Sequence, residues 1–532
     1  MRPTLVCFFF AFVACGAPEV NGRSDSGRAI DGGMQGEPDA GQMSTDSGAA
    51  ITDGGDRTSD AGTVTTDAGT VATDAGSQSA CGDTIVTGAE LCDSDTVACS
   101  TLAISYKSGM ASCRSNCQGY DVSTCALDDT VAAEQVRPAV RDPRWANAMC
   151  NDGTSYAFSI SVSPTGSKEW VFFLEGGGFC DGKTRSCLPP EQPVQLTSSK
   201  NAPADRAKLT GTGGSTLLNR SGAANKNPRF HDANFVFGTY CTSDLWSGTR
   251  SEPYTLEGQT WRNTGKLNVK AMLEVARQRF GLDDADPSTK ILYTGGSAGG
   301  NGARNTVDLV VTQMPNTAAA QRIALAPENG FMPLGWTWTD EGYSIASSGL
   351  TDLAFYEETS AVWHSQISGA CATYALTQGQ LPSACAAGLL ADVALMKPVA
   401  EGGLNLRIFE YQSRRDTVYA GDLHRLKTPT LRAPWDALIA KEISDAGLRW
   451  FFTPDSSIHG LQGSTAGGGL FNYHHVPFPA YSAASSPTCA STPYASGKDY
   501  YSMVVDFFDD PTPATSGERV CFNTVGTGLS WP

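Results

Sequence analysis

Short apolar runs alternate with longer stretches of helical spacing through residues 127 to 532. The runs at Trp170 to Leu174, Asn234 to Tyr240, Ile291 to Thr294, Arg322 to Ala326, Leu406 to Tyr411 and Trp450 to Thr453 predict strands buried within a sheet. Helices are predicted at Leu267 to Phe280, after Ser297, at Trp435 to Leu448 and around Tyr500 to Phe508. Each gap between strands is long enough for a crossover helix. The pattern therefore predicts an α/β fold, a mainly parallel sheet with helices on both faces.

The first part of the chain reads differently. Arg2 precedes the apolar run Leu5 to Ala14, which ends in Phe12-Val13-Ala14-Cys15-Gly16. Residues 1–15 read as a signal peptide of the lipoprotein type, too short to span a bilayer stably. A diacylated Cys15 would anchor the chain at a bacterial outer membrane, and ordinary cleavage nearby is the alternative. Residues 16–80 are low in complexity, with Asp-Ala-Gly recurring at Asp60, Asp67 and Asp74. So little apolar surface does not offset ordering entropy, and a disordered acidic linker is expected. Residues 81–126 hold Cys81, Cys92, Cys99, Cys113, Cys117 and Cys125, a small module that needs disulfide staples. Sequence does not choose among the pairings. The module reads as a spacer too small to share a core with the domain that follows, and unnecessary for chemistry.

Composition narrows the partners. The net charge of −17, with 17% charged residues, argues against nucleic acid as a partner. The 16 cysteines include no C-x₂-C pair, which favours disulfides in an oxidising compartment over a zinc site. The chain is expected to be secreted or held at the cell surface, as a monomer.

Candidate chemistry centres on Lys290 to Gly302. Gly295-Gly296-Ser297-Ala298-Gly299 fits G-x-S-x-G between a predicted strand and a predicted helix. That context is the one a nucleophile elbow requires. A strained turn there lifts the serine out and aims the free N–H groups of the helix N-terminus at the reaction centre. A hydrolytic serine also needs an oxyanion hole, a base and an acid that orients the base. Leu174-Glu-Gly-Gly-Gly-Phe-Cys180 directly follows a strand, and its glycines let backbone N–H groups approach a developing oxyanion. Ala298, next after the serine, would supply the other donor. In this fold the acid and then the base follow the serine in chain order. Asp416 comes just after the strand ending at Tyr411, and His459 just after the strand ending at Thr453. His474 and His475 are the rival bases.

Three blocks resemble the pectin acetylesterases and their animal relative Notum, a carboxylesterase. They are Leu174 to Cys180, Asn234 to Gly248 with its Tyr-Cys-Thr-Ser-Asp-Leu-Trp-Ser-Gly ending, and Gly295 to Gly302. The resemblance implies an α/β-hydrolase-type fold with a cap insertion, with Ser297 as nucleophile, Asp416 and His459 completing the triad, and Gly177, Gly178 and Ala298 as oxyanion donors. It also implies Cys150 with Cys241 and Cys180 with Cys187, leaving Cys371 with Cys385 and Cys489 with Cys521. One departure is Glu328-Asn-Gly330, where the family has D-A-G or D-S-G. No metal or organic cofactor is expected. The implied activity is hydrolysis of acylated polysaccharide or another ester. A lipid-ester carboxylesterase like Notum is the alternative, and a non-catalytic surface binding protein on the same scaffold is a third reading. The aromatic-rich segment 331–400 lies where the fold inserts a cap, and its rings could line an acyl tunnel, stack on sugars or pack the cap.

Overall fold

A computed structural model describes residues 81–83, 85–180, 187–188, 209, 216–224, 226–256, 258–330, 352–380, 382, 385, 389–412, 416, 450–454, 500–511 and 520–524. The leader, the acidic linker, the predicted helix at Trp435 to Leu448, His459, His474 and His475 lie outside the described residues.

A nine-stranded sheet carries the fold. Its strands, in chain order, are β1 Glu134–Val136, β2 Phe158–Ser161, β3 Glu169–Leu174, β4 Asn234–Gly238, β5 Lys290–Gly296, β6 Ile323–Glu328, β7 Arg407–Tyr411, β8 Trp450–Pro454 and β9 Val520–Thr524. Across the sheet they run β9-β8-β7-β6-β5-β3-β4-β2-β1. From β3 to β9 the pairings are parallel, while β1 and β2 are antiparallel. The longer helices are α1 Gly265–Arg279, α2 Ala298–Gln313, α3 Asp352–Trp363, α4 Gly369–Thr377, α5 Leu389–Met396 and α6 Tyr500–Asp509. The predicted parallel α/β sheet is thus present.

Alternate residues of each central strand point to opposite faces, and both faces are dry. On one, Trp170, Phe172, Ile291, Tyr293 and Ile408 pack with Val269, Met272, Val307 and Val310 of α1 and α2. On the other, Val171, Phe173, Phe237, Leu292 and Phe409 pack with Tyr500, Val504 and Phe507 of α6. This two-sided burial is why the central strands read as continuous apolar runs. The antiparallel strands β1 and β2 carry polar positions, Gln135, Ser159 and Ser161, and escape a search for such runs.

The cysteine block forms three disulfides, Cys81–Cys117, Cys92–Cys113 and Cys99–Cys125. Downstream, Cys150 pairs with Cys241 and Cys371 with Cys385, as the resemblance implies. Cys180 is disulfide-bonded and stands opposite Cys187 in the register of a short antiparallel pair.

The block does not behave as a spacer without a share in the core. Leu102, Tyr106, Ala111 and Tyr120 belong to the same apolar cluster as Val275, Ala276 and Phe280 at the end of α1. Tyr106 and Phe280 lie ring to ring at 6.4 Å, Gln278 Nε2 donates to the Leu91 carbonyl at 2.6 Å, and Arg114 pairs with Asp283 at 3.2 Å. The physical reason is the block's size. With so little apolar surface of its own, it gains by closing its rings on the helix end.

A chain beginning at Asp129 is therefore expected to melt several degrees below the full protein, since uncovering Phe280 and its neighbours costs on the order of 1.5–3 kcal/mol per large side chain. Differential scanning calorimetry of the two chains measures this. Coincident melting temperatures would mean that the contact adds nothing.

Candidate active site

Strand β5 delivers Ser297 at its C-terminal end, and α2 begins at the next residue. Ser297 has φ 57° and ψ −124°, a backbone conformation that costs a non-glycine residue on the order of 1–3 kcal/mol. It is held there by its own N–H, which donates to the Glu328 carbonyl of β6 at 2.8 Å, and by its carbonyl, which accepts from Gly300 and Asn301. Its neighbours from Ile291 to Gly296 and from Ala298 to Gly300 are buried, while Ser297 itself is only half-buried. This is the conformation and exposure of a serine raised on an elbow.

The glycine loop leaving β3 runs directly alongside. A Cβ on Gly176 would lie 2.5 Å from the Gly296 carbonyl and 2.9 Å from Ser297 Cβ, so only glycine fits. The loop thus reaches the elbow itself, with Gly177 exposed and Gly178 half-buried beside it. Ala298 opens α2, and the N–H of a helix's first residue has no acceptor within the helix. The predicted oxyanion donors and the predicted nucleophile therefore occupy one corner of the sheet.

Two strands across from β5, at the same edge, β7 ends at Tyr411. Register puts Gly296 beside Glu328 and Glu328 beside Tyr411, so the row that precedes Ser297 leads straight to the chain that carries Asp416. Asp416 is fully buried. In the sequence, His459 follows five residues after β8, the next strand across.

Glu328, where the sequence departs from the family pattern, is also fully buried. Its backbone anchors Ser297, and a Cβ on Gly296 would lie 3.5 Å from its Oε2. It supports the elbow from below.

A second buried ionic group was not anticipated from the sequence. Arg304, on α2, donates through Nε to Asp392 of α5 at 3.0 Å, through Nη1 to the Gly330 carbonyl at 2.7 Å, and through Nη2 to Glu410 of β7. Arg304, Asp392 and Glu410 are all buried. The available signal was a charged residue in each of two apolar settings, Arg304 on the covered helix and Glu410 in the strand Leu406 to Tyr411. One cation here faces two carboxylates, and Glu410 Oε1 has no hydrogen-bond partner among the described residues. Burial pushes the Glu410 carboxyl up to about 8, which the Arg304 charge only partly opposes, and burial raises Asp392 as well.

An unfolded glutamate titrates at about 4.3, while the folded one holds its proton to about 8. Between these values the folded state binds the extra proton, so this group's contribution falls as pH rises and levels off above the folded pKa. Glu410→Gln keeps an acceptor for Arg304 and cannot ionise. Thermal melts across this window should show the variant gaining on the wild type as pH rises. Parallel curves would remove Glu410 as the titrating group.

The Pectinacetylesterase family model matches residues 131–332. Palmitoleoyl-protein carboxylesterase notum1a of Danio rerio is 37% identical over 164 residues, 31% of this chain and 30% of that protein. The human palmitoleoyl-protein carboxylesterase NOTUM is 34% identical over 168 residues, 32% of this chain and 31% of that protein. The matches thus span under a third of the length of these two relatives. The inactive palmitoleoyl-protein carboxylesterase notum1b of Danio rerio is 41% identical over 104 residues, 20% of this chain and 68% of that protein. Among solved structures, the Wnt deacylase Notum of Drosophila has the same fold, with a TM-score of 0.51 at 20% identity, covering 65% of this chain and 89% of that one.

Proposed function

We propose that this chain, which belongs to the pectin acetylesterase and Notum family of carboxylesterases, is a serine carboxylesterase that removes acyl groups from polysaccharide. One observation carries the reading most of the way. The strained, half-buried Ser297 lies against a glycine loop whose Gly176 leaves no room for a Cβ. A surface binding protein has no use for a serine held at such cost beside backbone donors, and strain of this kind collects at reacting centres.

The mechanism is acyl transfer in two steps. His459 takes the Ser297 proton as Oγ bonds to the ester carbonyl carbon. Gly177, Gly178 and Ala298 donate to the oxyanion. The tetrahedral intermediate collapses, the alcohol leaves with the proton from His459, and an acyl-serine remains. Water, deprotonated by the same His459, attacks that ester, and the acid departs as Oγ regains its proton. Asp416 holds the imidazole tautomer and stabilises its charged form. Disulfides throughout the described part support an extracellular setting, and Cys15 would provide surface anchoring. The chain acts as a monomer.

A lipid ester is the second reading. It is favoured by the relatives named as palmitoleoyl-protein carboxylesterases and by the fold of a Wnt deacylase. Initial rates on acetylated pectin, acetylated xylan and p-nitrophenyl esters of increasing chain length distinguish the two, acetyl preference supporting the first and long-chain preference the second.

Ser297→Ala is expected to lower kcat by several orders of magnitude while the protein stays folded. A fluorophosphonate should label the wild-type peptide containing Ser297 and leave the variant unlabelled. Turnover at the wild-type rate in the variant would remove the serine mechanism.

The base is tested by two variants. His459→Ala should lose activity by a factor comparable with Ser297→Ala, because triad members act as a unit. His475→Ala should remain within about tenfold, the effect of ~1.4 kcal/mol of lost positioning. The opposite ranking would move the base to the downstream pair.

A further inference from the structure

The segment that follows β4, Thr239 to Gly248, does more than lead the chain into the next element. Three of its side-chain-bearing residues, Ser243, Leu245 and Trp246, have positive φ values of 51°, 52° and 62°. Such a run is costly and needs an internal support. Asp244 supplies it. Fully buried, its carboxylate accepts from Thr242 Oγ1 at 2.6 Å, from the Trp246 N–H at 3.0 Å and from the Gly265 N–H at 2.8 Å. The last contact also caps α1 with a carboxylate, the favourable sign at a helix N-terminus. Burial pushes Asp244 up to about 6, against the pull of these bonds, so it is the charged acceptor at neutral pH.

The turn held in this way grips the oxyanion loop along its length. The Trp246 indole N–H donates to the Glu175 carbonyl at 3.1 Å. The Tyr240 N–H donates to Glu175 Oε2 at 3.0 Å, and the Cys180 N–H donates to the Ser243 carbonyl at 3.0 Å. Tyr240 stacks on Trp246 at 5.2 Å, and its hydroxyl accepts from the Leu245 N–H at 2.8 Å. Its ring edge would stand 3.1 Å from a Cβ on Gly177.

The same turn also grips the nucleophile helix. A Cβ on Gly302, in α2, would lie 2.3 Å from Trp246 Cδ1, and Asn305 Nδ2 donates to the Leu245 carbonyl at 3.1 Å. Trp246 is fully buried, so it cannot meet a substrate. It is wedged between the two parts whose spacing an oxyanion hole depends on, and errors there cost rate steeply.

We infer that the Tyr240–Trp246 turn is a gauge for the oxyanion hole, with Trp246 and Tyr240 as positioning residues that set the glycine loop against the Ser297 helix. The inference rests on the proposed roles of Ser297 and the 176–178 loop. It concerns residues that touch no reacting atom and act through Glu175 and Gly177.

The test uses the full chain with Trp246→Phe, which deletes the indole donor, and Tyr240→Phe, which deletes the hydroxyl and keeps the ring. A third variant carries benzothienylalanine at position 246, which replaces the N–H by sulfur at nearly constant volume. Each is assayed for kcat and KM on p-nitrophenyl acetate, for melting temperature, and for the rate of inactivation by a fluorophosphonate. In that reaction Ser297 Oγ bonds to phosphorus as fluoride leaves, and the hydroxyl proton passes to the base. The phosphoryl oxygen takes the place of the oxyanion. Loss of one such bond should lower both kcat and the inactivation rate about tenfold, with KM within about twofold. The Trp246→Phe, Tyr240→Phe double variant should lose less than the product of the single losses, because both act on one loop. Wild-type rates in the benzothienyl variant, or a rise in KM alone, would overturn the inference and leave the esterase reading standing. Absence of any labelling of the wild type at Ser297 would overturn both.

Discussion

Backbone packed closer than any side chain permits is the constraint on which this site depends. Where α2 leaves the elbow, a Cβ on Gly299 would fall 2.0 Å from the Leu174 carbonyl at the end of β3. The chain that turns at Ser297 therefore lies directly on the strand end that launches the glycine loop. Neither part can move without the other, so one contact fixes nucleophile and oxyanion donors together. The unfavourable conformation of Ser297 is tolerated because its surroundings over-determine it. Aromatic and aliphatic layers cover both faces of β5, and the Glu328 carbonyl takes the serine N–H.

That arrangement explains which parts of the structure were legible in the sequence. The central parallel strands are buried on both faces, so composition alone announces them. The elbow and glycine loop are legible because close approach restricts the residue type to glycine, and the restriction leaves a mark in the chain. The antiparallel β1 and β2 lack such a mark. Asp416 is proposed from chain order, five residues past the end of β7, and is buried, whereas His459 is proposed from order alone. The docking of the cysteine block on α1 could not be read, because Tyr106 and Phe280 are far apart in sequence and each looks like an ordinary core residue. Arg304 was missed for the same reason. Its partners Asp392 and Glu410 are 88 and 106 residues away. The disulfides among the six clustered cysteines needed three dimensions.

The chain divides its labour unevenly between the part that resembles its relatives by profile and the part beyond it. Residues 131–332 hold Ser297, the glycine loop and the turn around Trp246. Asp416 and α5 lie downstream. Between the two runs the Arg304 group, joining α2 to α5 and β7. Apolar packing could hold these elements together at lower cost, since burying three ionisable groups is expensive even when they are paired. What an ionic cluster adds is direction. A guanidinium with fixed donors accepts one arrangement of its acceptors, while aliphatic surfaces slide. Gly330, whose carbonyl Arg304 also holds, lies two residues after Glu328 and so closes the circuit back to the elbow. The downstream half can then vary in what it presents to a substrate while β7 stays in register with the strands that carry the nucleophile.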